Sequence, residues 1–258
     1  VLNTWAGRKT VACVRSLQKQ TLAAQMEIIV VDNHSQDDSI GYIRNNLGDM
    51  KNVQILEARA NLGFGGGYGL GLIHAKGNYV LINNPDKILE PSGIEQMIAI
   101  MENDPTIGII APKLIHEEDG SVRSSARAFP RPLDVIAKRT ALGRVFKKRV
   151  TRYLAESDAA HQRDVDWVVG GCLLMRTEVL RELKGFDPRF FLFFEDIDLC
   201  RRVWGMGKRV VYLPDVIATD RKRRLSEMSP LRMPFSMVGR AHIASAVKYF
   251  WKWRGSNI

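Results

Sequence analysis

A run of apolar side chains, Phe190-Phe191-Leu192-Phe193-Phe194, leads straight into three carboxylates, Glu195, Asp196 and Asp198. Carboxylates suit the first turn of a helix, where unpaired N–H groups and the positive end of the dipole face them. Apolar neighbours that strip water from such a group raise its pKa toward the range of a general base. The same residues also fit a plain helix start with an Asp198–Arg202 pair one turn apart, and both readings stay open at this point. Two further carboxylates, Asp32 and Asp86, follow apolar runs of strand length, Glu27 to Val31 and Tyr79 to Ile82. Ligands in α/β sheets bind beyond the carboxyl ends of strands, so a strand closing on a carboxylate marks a candidate site.

Those carboxylates need a scaffold, and the apolar periodicity supplies one. Val1 to Thr4 reads as the tail of a strand, and Gly7 to Gln20 carries Val11, Val14 and Leu17 at helical spacing. Val53 to Leu56 and Ile107 to Ile110 are further short strands, with a helix through Ile94, Met97, Ile98 and Met101 between them. The alternation predicts an α/β fold: an open, mostly parallel central sheet with helices on both faces. The glycine run from Asn61 to Gly71 is read as a loop in which the backbone comes close to a ligand. No frame of it matches GxGxxG or GxxxxGK[ST], so neither the dinucleotide nor the P-loop mechanism is supported.

From Lys113 to Asp166 the chain is irregular and basic, with Arg123, Arg127, Arg131, Lys138, Arg139, Arg144, Lys147, Lys148, Arg149 and Arg152, and it is read as a mobile or ligand-gated insert. Val165 to Met175 predicts a strand, Thr177 the cap of a short helix, and Val210 to Leu213 a last strand. A C-terminal helix is expected to turn Ile243, Val247 and Trp251 to the core and leave its lysines solvated.

The 258 residues are 45% hydrophobic, ample for a core. Cys13, Cys172 and Cys200 lie far apart without metal-ligand spacing, which points to buried thiols of a reducing compartment and to no structural zinc. The sequence lacks a run long enough to span a bilayer and a signal-peptide pattern, so a cytoplasmic location is expected. A net charge of +10 favours anionic partners: nucleic acid, an acidic lipid surface or a phosphorylated substrate. Aromatic residues do not alternate with a basic stripe on the strands, which argues against nucleic acid.

Four segments together resemble the inverting, metal-dependent glycosyltransferases of family 2, which have the GT-A fold. Glu27 to Ser39 looks like that family's first nucleotide-binding strand and loop, and Asn61 to Gly67 like its second. Asn84-Pro85-Asp86 resembles its variant of the DxD metal motif, and Gly185 to Cys200 its acceptor and base segment. Ser124 to Pro130 and Val165-Asp166-Trp167 look most like the bacterial rhamnosyltransferase branch. The resemblance covers nearly the whole chain and implies one GT-A unit over residues 1–258: a nucleotide-sugar half over 1–112, an acceptor and catalytic half over 113–229, and a C-terminal helix over 230–258.

The resemblance assigns Asp32, Asn33, Ser35, Asn61, Gly63 and Asn84 to the nucleotide sugar, with Arg123 and Arg127 as candidates for its diphosphate. It gives Asp86 to Mg²⁺ or Mn²⁺, Asp196 to deprotonation of the acceptor hydroxyl, and Glu195 and Trp167 to the acceptor side. It further implies dTDP-L-rhamnose as donor, with UDP-sugars behind it, a glycan or lipid-linked glycan as acceptor, and peripheral work at the anionic inner face of a membrane. The basic cluster Arg221-Lys222-Arg223-Arg224 and the tryptophans of the last helix suit that surface.

The chain departs from the family pattern in three places. The family's first strand normally begins several residues earlier and ends in a Thr-Tyr-Asn-like turn, whereas this sequence opens at Val1 and reads Thr4-Trp5-Ala6. Asp220 stands where some members carry a metal-binding histidine, and Asp86 is the one carboxylate left in the DxD-like motif. Two rivals are a catalytically silent nucleotide-sugar-binding relative and a sugar-phosphate nucleotidyltransferase. The second should carry a basic glycine-rich loop where this chain has Asp32-Asn33-His34-Ser35.

Overall fold

Strands whose inward residues alternate between two faces build the centre of the molecule, and the computed structural model describes residues 1–134, 160–221 and 236–255. Strands β1 (Leu2–Asn3), β2 (Ile28–Asp32) and β3 (Val53–Glu57) form a parallel ladder in the order β1-β2-β3. Helices α1 (Gly7–Leu17), α2 (Ser39–Leu47) and α3 (Gly63–His74) intervene or follow. Next come β4 (Tyr79–Asn83), β5 (Lys87–Leu89), α4 (Gly93–Asn103) and β6 (Ile107–His116).

Short pieces β7 (Val122–Arg123), β8 (Ala126–Arg127), β9 (Arg163–Asp164) and β10 (Trp167–Val168) lead to β11 (Cys172–Arg176) and α5 (Thr177–Glu182). The chain continues with α6 (Glu195–Gly205), β12 (Arg209–Asp220) and α7 (Met237–Lys252).

The α/β class and the helices on both faces agree with the sequence, whereas the expectation of a mostly parallel sheet needs correction. The second sheet has seven strands, with the path β4-β11-β6-β12-β5, and it is mixed. Among the described residues only β6 and β12 run parallel in it; β11 is antiparallel to both β4 and β6, and β5 is antiparallel to β12. Alternation along the shared strands feeds two cores: Val31, Ile109, Leu173 and Tyr212 on one face, Val30, Ile110, Leu174 and Val211 on the other. The three cysteines are free and buried.

Several element assignments change. The predicted strand Val165 to Met175 is broken by Gly170-Gly171 into β10 and β11, which belong to different sheets. β12 starts one residue before the predicted Val210 to Leu213 and runs on to Asp220. Thr177 lies inside α5, where its hydroxyl donates to the Gly77 carbonyl at 2.6 Å and caps no N–H.

The glycine run is a helix. In α3 a Cβ at Gly65 would stand 2.6 Å from the Phe186 Cβ, one at Gly67 would strike the Leu2 side chain, and one at Gly63 would strike the Phe191 carbonyl. Gly63, Gly65 and Gly67 therefore serve close packing of helix on chain, whereas Gly69 faces open space, and only Gly63, at φ +71°, needs the left-handed region.

The last helix also reverses its expected face. Ser245 and Tyr249 of α7 are buried, while Val247 and Trp251 are 65% and 68% exposed and Ile243 also faces out. Ionic and hydrogen bonds draw the opposite side inward: Lys252 reaches Asp187 at 2.7 Å and Asp198 at 2.6 Å, and the Ser245 hydroxyl donates to the Leu192 carbonyl at 2.9 Å. Among the described residues no helix is long and apolar enough to cross a membrane. Of the basic middle stretch, Lys138, Arg139, Arg144, Lys147, Lys148, Arg149 and Arg152 lie outside the described residues, as do Lys222, Arg223 and Arg224.

Candidate functional site

Asp32 closes β2 with its carboxylate already organised. It accepts from the Asn3 amide at 2.6 Å and from the Ser35 N–H at 2.9 Å, so the strand end and the following loop are locked together. Asn33 does the same for the next segment: its amide donates to Asn61 Oδ1 at 3.0 Å and to the Gly63 carbonyl at 3.2 Å, and its own carbonyl oxygen accepts from the Leu62 N–H at 2.9 Å. The Asn33 N–H donates to the Asn3 carbonyl at 2.9 Å, so Asp32, Asn33, Ser35, Asn61 and Gly63 form one hydrogen-bonded group through Asn3. Buried Asp32 and Asn33 spend much of their polarity inside the protein, whereas Asn61 stays exposed.

The end of β4 carries a second group. Asn84 accepts from the Tyr68 hydroxyl at 2.9 Å, and its N–H donates to the Gly171 carbonyl at 2.8 Å. Asp86 and Asp220 both direct an oxygen at the Lys87 ammonium, at 3.0 and 2.7 Å. Arg123 pairs with the other oxygen of Asp220 and donates from Nε to His116 Nε2 at 3.0 Å. Two carboxylates and two cations make this cluster neutral. The sequence marked Arg123 and Asp220 separately but neither their pairing nor Lys87; the i,i+1 placement of Lys87 after Asp86 was the available signal.

Arg123 and Arg127 are buried. The Arg127 guanidinium lies 5.3 Å from the centre of the Trp167 ring and donates to the Ser124 carbonyl at 3.1 Å. Trp167, expected on the acceptor side, is a core residue: it is 4% exposed and its indole N–H donates to the Ala128 carbonyl at 2.8 Å.

The third group sits at the start of α6. Phe193 and Phe194 both adopt left-handed backbone, at φ +68°, an arrangement that costs on the order of 1–3 kcal/mol per residue and that the surrounding packing must hold. It swings Glu195 and Asp196 onto the helix N-terminus. Asp196 accepts from the Gly170 N–H at 3.0 Å and the Ile197 N–H at 2.9 Å. Burial nevertheless raises its pKa, with those N–H groups and Arg127 opposing. Glu195 is raised well above the usual carboxylate range, by burial first and then by the Asp196 charge, and its Oε2 finds no partner among the described residues.

Asp198 has a different task. It pairs with Arg202 at 2.8 Å, as its spacing suggested, and also accepts from the Trp253 indole at 2.8 Å, which fastens α7 to α6.

The adjacent glycines 170 and 171 connect the second and third groups. Gly170 holds Asp196 through its N–H, and Gly171 holds Asn84 through its carbonyl. A Cβ on the first would lie 3.1 Å from the Asp196 Cβ, and one on the second 3.1 Å from the Lys87 Cε. A cavity of about 830 Å³ between β2 and β4, lined by residues such as Ile29, Leu72, Ile82 and Phe186, includes none of Asp32, Asp86, Asp196 and Asp220.

The donor chemistry suits a hard divalent cation, since two carboxylate oxygens already converge on a stand-in, the Lys87 ammonium. No set of three or more His, Cys, Asp or Glu side chains placed to hold a metal occurs among the described residues. A metal here needs oxygens from the substrate.

The chain is 29% identical over 231 residues to an N-acetylglucosaminyl-diphospho-decaprenol L-rhamnosyltransferase of Mycobacterium tuberculosis, covering 84% of this chain and 74% of that one. It is 30% identical over 176 residues to the rhamnosyltransferase WbbL of Escherichia coli, covering 68% of this chain and 62% of that one. Among solved structures, GalNAc-T7 with UDP, GalNAc and Mn²⁺ superposes with a TM-score of 0.68 at 16% identity, over 99% of this chain and 47% of the other. The mannosyltransferase PcManGT of Pyrobaculum calidifontis, with GDP-Man and Mn²⁺, gives 0.59 at 16% identity, over 100% of this chain and 74% of the other.

These likenesses show a GT-A-like α/β fold, and the glycosyl transferase family 2 pattern matches residues 8–184, more than half of the sequence. The chain therefore belongs to glycosyltransferase family 2.

Proposed function

We propose that the chain, acting as one GT-A unit over residues 1–258, transfers a sugar with inversion from a nucleotide-sugar donor to a hydroxyl of a glycan or lipid-linked glycan. The observation that carries this reading is the Gly170-Gly171 bridge. It couples a carboxylate of raised pKa, Asp196, to the Asn84–Asp86–Lys87 group at the end of β4. Asp196 takes the proton of the acceptor hydroxyl as its oxygen forms the new bond to the anomeric carbon. The bond from that carbon to the diphosphate breaks on the opposite face, and the nucleoside diphosphate leaves with the electron pair.

The Asp32–Asn33–Asn61 group receives the nucleoside, and Glu195 shapes the acceptor side. Bound Mg²⁺ or Mn²⁺ would be held by Asp86, with Asp220 beside it, and supplies positive charge to the diphosphate.

The names of the rhamnosyltransferase relatives favour dTDP-L-rhamnose as donor and a lipid-linked diphosphate sugar as acceptor. Incubation with dTDP-L-rhamnose, UDP-GlcNAc or UDP-glucose and a lipid-linked GlcNAc diphosphate, read as nucleoside diphosphate released and glycolipid formed, tests both. Release and transfer with dTDP-L-rhamnose are expected. Nucleotide-sugar binding without release under any condition would make the chain a silent relative.

A lipid-linked acceptor places the work at a membrane, and α7 offers a matching surface. Its outward face combines Met237, Ile243, Val247 and Trp251 with exposed Arg240 and Lys248, and exposed Arg254 follows just beyond its end. Apolar groups entering the headgroup layer beside cations that meet anionic lipid give salt-sensitive, peripheral attachment, here at the inner face of the cell membrane. Co-sedimentation with anionic but not neutral vesicles, lost in Trp251→Glu and weakened by salt, is expected. Equal recovery of that variant and the wild type would remove α7 from the interface.

A further inference from the structure

Lys87 lies where the chemistry of the family has no obvious use for it. Its side chain is only 6% exposed, with Nζ 3.0 Å from Asp86 and 2.7 Å from Asp220. The backbone fixes it from both sides: the Lys87 N–H donates to the Asn84 carbonyl at 3.0 Å, and the Lys87 carbonyl accepts from the Asn83 amide at 3.2 Å. Lys87 opens β5 in register with Asp220, so the two side chains start from paired positions. Gly171 leaves room for the stem, since any side chain there would press on Cε.

The local charge is closed without any added ion, because Arg123 neutralises the second oxygen of Asp220. A divalent cation introduced between Asp86 and Asp220 would meet the ammonium at contact distance, in a place largely shielded from water, where like charges repel strongly. The ion and the ammonium cannot both occupy it.

We propose that Lys87 is a tethered occupant of the divalent-cation place, displaced when the donor's diphosphate arrives. The diphosphate does two things at once: it brings the oxygen ligands that a lone aspartate pair lacks, and it offers the released ammonium a new anion. Metal and donor consequently bind as a pair, and the free protein holds neither Mg²⁺ nor Mn²⁺ appreciably. This rests on the reading of Asp86 as the metal-side residue of a glycosyltransferase, and it adds a residue that gates the metal.

The test is a Mn²⁺ titration followed by the electron paramagnetic resonance signal of free Mn²⁺, with intact protein and no acceptor. Wild type is expected to take up little Mn²⁺ alone and, with dTDP or UDP present, to bind it at least tenfold more tightly after subtraction of the Mn²⁺ held by the same nucleotide without protein. Lys87→Met keeps the stem and removes the charge; it is expected to bind Mn²⁺ without nucleotide at least tenfold more tightly than wild type. It should also melt at a higher temperature with added Mn²⁺, which wild type should not do. Asp86→Ala in the Lys87→Met background should abolish that uptake.

Nucleotide-free wild type binding Mn²⁺ as tightly as Lys87→Met overturns the proposal, and so does a Lys87→Met protein that binds none. If Lys87→Met does not fold, the wild-type titration decides alone: equal Mn²⁺ affinity with and without nucleotide overturns it. The glycosyltransferase reading fails separately, by absence of sugar transfer.

Discussion

The two carboxylate pairs of the site are built in opposite ways. Asp86 and Asp220 are compensated by side-chain cations, Lys87 and Arg123, in contact with them. Glu195 and Asp196 receive backbone N–H groups and the more distant influence of Arg127, and burial dominates. A carboxylate compensated by cations can exchange one cation for another. A carboxylate compensated by little else holds a proton more readily, which is what a group that takes protons at neutral pH requires.

Removing the acid–base member should have the largest effect. Asp196→Asn is expected to lower turnover on the order of 10²- to 10⁴-fold with donor affinity nearly unchanged, measured as kcat against donor Kd. Wild-type turnover would dissolve the distinction between the pairs. On the other side, Asp220→Ala takes the carboxylate from Arg123 and leaves Lys87 with Asp86 alone, and it should cost about 3–5 kcal/mol of stability in urea unfolding.

The two glycines between the pairs separate them further. Gly170→Ala crowds Asp196 and is expected to slow transfer roughly tenfold while leaving Mn²⁺ and donor binding intact. Gly171→Ala crowds Lys87 and should alter Mn²⁺ binding instead. The same phenotype from both would mean that the clusters act as one.

The smallest effect concerns pH. Glu195 and Asp196 have folded-state pKa values above the ordinary carboxylate range, so the native protein holds protons that the unfolded chain releases. Their contribution to stability is present at acid pH and is lost as pH rises from about 4 through the raised values. Glu195→Gln should therefore match wild type in melting temperature at acid pH and exceed it increasingly toward neutral pH. A constant difference across the range would assign the effect to shape and not to charge.

Much of this was legible in the sequence. Continuous apolar runs ending in Asp32 and Asn83-Asn84-Pro85-Asp86 located two strand ends, and the aromatic run located α6. Sheet direction was not legible, because the partners of β11 and β12 lie far away in the chain. The face of α7 was misread for an energetic reason. Apolar spacing pointed Ile243, Val247 and Trp251 inward, but buried Asp198 has to be compensated, and Lys252 and Trp253 on the other side do so. Trp167 followed a motif to the acceptor side, while its indole N–H found a carbonyl in the core.

The glycine content of α3 has a consequence for how the protein folds. Six of its twelve residues are glycine, each about 1 kcal/mol worse than alanine in a helix, so the segment cannot hold a helix alone. It becomes helical only against Leu2, Val31, Phe186 and the Phe191 carbonyl, which come from distant parts of the chain. α3 should thus form late, with low φ-values, and only once the stretch leading to Asp196 has docked. An isolated fragment ending before Phe186 should show α1 and α2 but no α3, so the segment up to His74 has no finished structure until the stretch from Phe186 to Phe191 supplies it.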